Sequence, residues 1–194
     1  MTLTFHIRPA NVDDVDSMLR LVQDLATYEK EPESARATPA LFRENVFEKK
    51  YAHTILAFEG TPEAPGIALG MALYFFNFST WTGKPGLFVR LNSDSPTPHR
   101  DAASLLTLRI QLEDLYVSPE ARNKGIGKAL FAELGKIAQE KGCARLDWSV
   151  LKWNTPSIAF YEKKLEAKAM EEWMGMRLEE QGIENLQKLT LHAA

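Results

Sequence analysis

Residues 112–131 read LEDLYVSPEARNKGIGKALF: an apolar strand-like run, a basic turn holding two glycines, then an amphipathic helix. This junction decides the reading of the whole chain. Backbone N–H groups in such a turn, with the unpaired donors and positive dipole end of the helix behind it, form a socket for phosphate or pyrophosphate. Arg122, Asn123, Lys124, Gly125, Ile126, Gly127 and Lys128 supply that socket. It is not a P-loop, because Arg122 stands where the first glycine belongs and Ala129 follows the Gly-Lys pair in place of serine or threonine. It is not a dinucleotide fingerprint either, since Leu130 occupies the third glycine position. What remains, Arg-x-x-Gly-x-Gly between a strand and a helix, also suits a purely structural turn. Glu113 and Asp114 lie just upstream. In a regular strand they point to opposite faces, so a bulge is needed to bring both to one site.

On the C-terminal side, Ile126, Leu130, Leu134, Ile137 and Ala138 share one helical face up to Gly142. Residues 145–151 then suit a strand with Leu146, Trp148 and Val150 on one side. Asn154 caps a helix with Pro156 and Ser157 in its first turn, carrying Ile158, Phe160, Tyr161 and Leu165, and residues 173–178 (WMGMRL) suit a last strand. On the N-terminal side, residues 3–8 form a first strand stopped by Pro9. Asn11 caps a helix whose buried stripe is Val12, Val15, Leu19, Val22 and Ala26, widened by Met18 and Leu25, ending near Tyr28. The acidic segment 27–34 (TYEKEPES) is either a solvated loop or a cation-binding rim. Thr38 and Pro39 start a helix buried through Leu41, Phe42, Val46 and Phe47. Residues 53–59 and 67–78 make a hairpin across TPEAPG, and residues 105–117 can form one long strand. The expectation is one α/β domain over 1–194, with a mixed, mostly antiparallel central sheet of six to seven strands flanked by about four helices.

A chain of 194 residues with 45% apolar and 25% charged residues is ordinary for a globular domain, and a net charge of −3 argues against general nucleic-acid binding. The single cysteine, Cys143, rules out an internal disulfide and points to a reducing, cytoplasmic setting. No apolar run is long enough for a membrane span, and the N-terminus lacks a signal-peptide core. The four histidines have no metal-ligand spacing, so no metal is expected.

The stretches HIRPA, LRLVQDLATYEK, YFFNFSTWTGK, LEDLYV, RNKGIG and WNTPSIAFY together resemble the GNAT N-acetyltransferase superfamily, and within it the diamine (spermidine/spermine) and thialysine acetyltransferases. The resemblance implies the GNAT fold, acetyl-CoA as cosubstrate, a small-molecule amine acceptor and a homodimer. In that family the 122–128 turn holds the acetyl-CoA pyrophosphate, and strand backbone at Leu115, Tyr116 and Val117 bonds the pantetheine arm. Asn154 and Ser157 contact the same cofactor. An amine acceptor is largely ammonium at neutral pH, so a base must take its proton. The resemblance gives that role to Glu113, through water, and gives Tyr161 the role of acid towards the departing thiolate. Tyr28, Glu29, Trp81 and Asp114 correspond to the rim that binds a cationic acceptor. Transfer to a protein amine, or a catalytically silent CoA-binding protein, are the alternatives. Glu166 stands where the family usually has glycine; if that turn needs positive φ, glutamate introduces strain and displaces the final strand.

Residues 89–111 stand outside the resemblance, and joining residue 88 to Leu112 restores the family pattern without a gap. This atypical insertion is either a retained intron, since Val89-Arg90 can be encoded GTACGT and Gln111 CAG, or a lid or interaction loop whose LTLRIQ leads into the strand.

Overall fold

The computed structural model describes residues 3–76, 78–79, 84–85, 108–172 and 174–186. Its contacts form two compact units, Met1–Ser149 and Val150–Ala194.

The first unit is built on a five-stranded sheet of order β1-β2-β3-β6-β7, comprising β1 (Phe5–Pro9), β2 (His53–Thr61), β3 (Ala64–Phe76), β6 (Leu108–Val117) and β7 (Cys143–Trp148). Neighbours are antiparallel except β6 and β7, which run parallel. The short β4 (Phe78–Ser79) and β5 (Lys84–Pro85) pair with each other. The hairpin expected from residues 53–59 and 67–78 forms between His53–Thr61 and Ala64–Phe76, its ladder reaching into TPEAPG and closing at Thr61↔Ala64 across Pro62 and Glu63, while Phe78 pairs instead with Pro85. Residues 108–117 are one strand, so the end of the atypical segment is part of the sheet.

Two helices cover the two faces. Helix α1 (Val15–Tyr28) lays Met18 and Leu21 on Leu56, Phe58, Met71 and Tyr116. Its buried centre is Val15, Met18 and Leu21, while Val12, expected in the stripe, is 47% exposed because it lies in the 3-10 turn before the helix. Asn11 caps that turn as expected: its Oδ1 accepts from the Asp13 N–H at 2.8 Å, and the Asp14 carboxylate accepts from the Asn11 N–H at 2.7 Å. Arg8 of β1 donates both terminal nitrogens to Asp14 at 2.7 and 2.8 Å, pinning the helix start to the sheet. On the opposite face lies α3 (Ile126–Glu140), burying Ile126, Leu130, Phe131 and Leu134. Gly70 of β3 permits this approach: a Cβ there would meet the Tyr116 carbonyl at 2.9 Å and Ile126 Cγ2 at 3.3 Å. Thr38 caps α2 (Pro39–Phe42), which runs into a π-helical turn, Arg43–Glu48.

The second unit contains α4 (Thr155–Lys164) and α5 (Glu180–Leu186). Two expectations are corrected. The strand expected over 145–151 is Cys143–Trp148, leaving Val150 outside it. The strand expected over 173–178 does not form at 174–178, where Met174, Met176 and Leu178 are 82%, 87% and 55% exposed. Apolar alternation yields a strand only where a ladder edge and a buried face receive it. Among the described residues the central sheet has five strands, against the six to seven expected, and α5 adds a fifth α-helix.

Candidate active site

The ladder between β3 and β6 carries a bulge. Leu73 pairs with Asp114 and Tyr74 with Leu112, so Glu113 has no residue opposite it on β3. Alternation then sorts the strand. Asp114 and Tyr116 lie on the α1 face with their partners Leu73 and Met71, and Leu112 turns towards the α3 face, where it is 2% exposed. Glu113 is exposed and Asp114 half-buried. Burial, then the neighbouring carboxylates Glu113 and Glu29, push the Asp114 carboxyl up to about 6. Burial likewise raises Glu29, the residue directly after α1. The tertiary fold therefore brings Glu29, from the end of α1, within electrostatic reach of Asp114, whose neighbour in the chain is Glu113.

Beyond the bulge, β6 loses a neighbour. The parallel ladder with β7 ends at Leu112↔Trp148, leaving the β7-side edge of 113–117 without a strand among the described residues. Leu115, Tyr116 and Val117 lie on this open edge. The Tyr116 side chain is 5% exposed and belongs to the core, so only its backbone is available there. The Val117 carbonyl already accepts Arg122 Nε at 3.0 Å.

The basic turn ends in a glycine-capped helix. Asn123 and Gly125 take φ of 61° and 91°, and Gly125 is the N-cap of α3 with no side chain bonded to the helix end. No atom lies within 4 Å of where a Cβ would sit on Gly125 or Gly127. Lys124 and Lys128 are exposed at this end of α3. Ile126 is 1% exposed, so only its backbone can serve an anion. These features fit a pyrophosphate.

Arg122 is placed differently from the sequence expectation for the rest of the turn. Its guanidinium carbon lies 4.7 Å from the centre of the Tyr28 ring and 5.7 Å from that of Tyr116. These three side chains, with Arg20, Asp24 and Glu120, bound an open cleft of about 360 Å³. The Arg20–Asp24 ion pair at 3.1 Å is the part of this cleft visible in the sequence, as an i,i+4 pair on α1.

In the second unit, Asn154 Oδ1 accepts the Ser157 N–H at 3.4 Å, so these two residues meet in the N-cap of α4. Tyr161 is half-buried on that helix. Its carbonyl accepts the Leu165 and Ala167 N–H groups at 3.2 and 3.1 Å, and between them Glu166 takes φ of 56°. Glu166 thus holds the left-handed conformation expected of a glycine. Trp81 lies outside the described residues. Among those residues no group of three or more His, Cys, Asp or Glu is arranged to hold a metal ion, and no helix is long and apolar enough to cross a membrane.

The sequence model of the acetyltransferase (GNAT) family matches residues 17–166, spanning the bulged strand, the turn and α4. The chain belongs to the GNAT acetyltransferase family. As a member it is an acetyl-CoA-dependent N-acetyltransferase. It is 31% identical over 188 residues to the thialysine N-epsilon-acetyltransferase of Bos taurus, covering 93% of this chain and 95% of that protein. It is 26% identical over 174 residues to the spermidine/spermine N(1)-acetyltransferase-like protein 1 of Homo sapiens, a match that spans 22% of that protein. Among solved structures, the integron cassette protein VCH_CASS6 from V. cholerae superposes with a TM-score of 0.68 at 26% identity, over 95% of this chain and 98% of the other.

Proposed function

We propose that this acetyltransferase acts on a primary amine of a small polyamine, diamine or lysine-like molecule. The observation that carries the reading is the acidic neighbourhood of Asp114, Glu113 and Glu29, in which a carboxyl is pushed up to about 6. Such a group binds an ammonium ion when charged. It is also closer in pKa to an amine than an ordinary carboxylate, which makes it a better proton acceptor. Relatives named for thialysine, spermidine/spermine and L-ornithine acetylation support the same acceptor class.

The residues divide the work as follows. Backbone donors of Asn123, Lys124, Gly125, Ile126, Gly127 and Lys128 hold the pyrophosphate. The open β6 edge at Leu115, Tyr116 and Val117 bonds the pantetheine arm, and by the family resemblance Asn154 and Ser157 contact the same cofactor. Acetyl-CoA supplies an acyl group activated as a thioester. Tyr28, Glu29, Trp81 and Asp114 receive the cationic acceptor. Glu113 and Asp114 take the ammonium proton, Glu113 through water and Asp114 from its desolvated position. The Tyr161 hydroxyl gives a proton to the departing sulfur. A cytoplasmic homodimer is part of the same proposal, resting on the family resemblance and the composition.

Incubation with acetyl-CoA and a panel of spermidine, putrescine, thialysine and a lysine peptide tests the reading. Thiol release with one of the small amines is expected; release with the peptide alone, or with none, overturns it. Tyr161→Phe is expected to lower kcat about 10²-fold with little change in acceptor KM.

A further inference from the structure

Arg122 links two parts of the proposed site, the cofactor turn and the end of α1. It opens the turn assigned to the cofactor, yet its side chain is directed to the end of α1. Its Nε is fixed by the Val117 carbonyl at 3.0 Å, and its guanidinium faces the Tyr28 ring at 4.7 Å. Tyr28 is the last residue of α1, Glu29 follows it, and Lys30 takes φ of 67°, where the chain leaves the helix. A helix end lacks the onward hydrogen bonds of its interior, so side-chain anchoring bears more of the burden there.

We propose that Arg122 is a positioning residue for the amine acceptor: by stacking on Tyr28 it holds the end of α1, and with it Glu29, against β6. A guanidinium suits this task because its planar face covers an aromatic ring while its edge bonds a carbonyl. The charge relation fits the same arrangement, since Glu29 can raise Asp114 only while α1 ends beside β6. The proposal rests on the reading of Tyr28 and Glu29 as the acceptor rim.

The test compares Arg122→Met, Tyr28→Leu and the double variant in the full chain. Three quantities are read: acceptor KM and kcat with whichever small amine the wild type acetylates, acetyl-CoA Kd by calorimetry, and amide hydrogen exchange over residues 26–31. Each single change is expected to raise acceptor KM about 5- to 10-fold, as loss of one partly desolvated cation–π contact would, with kcat within about twofold. The double variant is expected to do no worse than the more damaging single, because both remove one contact. Exchange over 26–31 rises in both Arg122→Met and Tyr28→Leu. Additive KM effects, or unchanged exchange with the loss confined to acetyl-CoA Kd, overturn the proposal and leave Arg122 serving the cofactor alone. Should Arg122→Met not fold, Arg122→Lys keeps the charge without the planar face, and wild-type exchange in it has the same overturning force. If the wild type acetylates none of the amines, the functional reading fails separately, while the exchange measurement still decides whether Arg122 anchors α1.

Discussion

The strand-turn-helix at 108–140 and the segment after Val150 differ in how firmly the chain is held. In the first, Leu112, Tyr116, Ile126, Leu130 and Leu134 are all at most 5% exposed, and β6 is paired on both sides over 108–112. In the second, no described residue is buried, and Trp153, Met174 and Met176 are 46%, 82% and 87% exposed. One region takes its conformation from burial on two faces of a sheet, whereas the other relies on local caps and turns. The proposed cofactor turn and bulge belong to the firmly held region, while Tyr161 belongs to the other.

The comparison is sharpened most by Asp114, a half-buried charge that the firm region carries at a cost. Its raised pKa means the folded state binds a proton more tightly than the unfolded chain. The protein therefore loses stability through this group as pH rises from about 4 through about 6. Asp114→Asn is expected to lower kcat/KM for the acceptor about 10²-fold yet raise stability at pH 8 by up to ~2 kcal/mol, read from urea midpoints. In the wild type, kcat/KM should fall about tenfold per pH unit below about 6 as the carboxylate is protonated.

Two truncations set the regions against each other. Leu130→Ala, at a site with 0% exposure, should cost about 3 kcal/mol, whereas Met176→Ala, at 87% exposure, should change urea stability by less than about 0.5 kcal/mol. A cost above about 1.5 kcal/mol at Met176 would break the contrast. Gly127→Ala tests whether the turn is kept open for a ligand: a Cβ there meets nothing within 4 Å, so stability should hold while acetyl-CoA Kd rises about tenfold in calorimetry. The smallest effect is expected at Glu166, where φ is 56°; Glu166→Gly should stabilise the protein by about 1 kcal/mol in a denaturant titration.

Local signals made much of this molecule legible. The Asn11 and Asn154 caps, the hairpin across TPEAPG, the buried face of α3 and the glycine turn before it all form as the sequence implies. Each depends on neighbours within a few residues, where capping and apolar period act directly. The resemblance to the GNAT family was equally legible, because its motif residues lie in short continuous stretches. The sequence also raised the question of residues 89–111, of which 108–111 enter the sheet beside β3 and β7.

Other features depended on partners far away in the chain. The sequence could state that a bulge was needed at Glu113 and Asp114, but only the register between β3 and β6 decided that it forms there and that Asp114 is the buried member. Nothing near Arg122 announces that its guanidinium lies on Tyr28, since the two are joined only when α1 docks on β6. The alternating segment 173–178 looked like a strand, yet 174–178 has no ladder partner. The sequence by itself determined the helices, turns, caps and family, whose causes are local. Strand register, the partial burial of Asp114 and the lack of a strand at 174–178 were left to the tertiary structure, because pairing and desolvation are set by whatever the fold brings alongside.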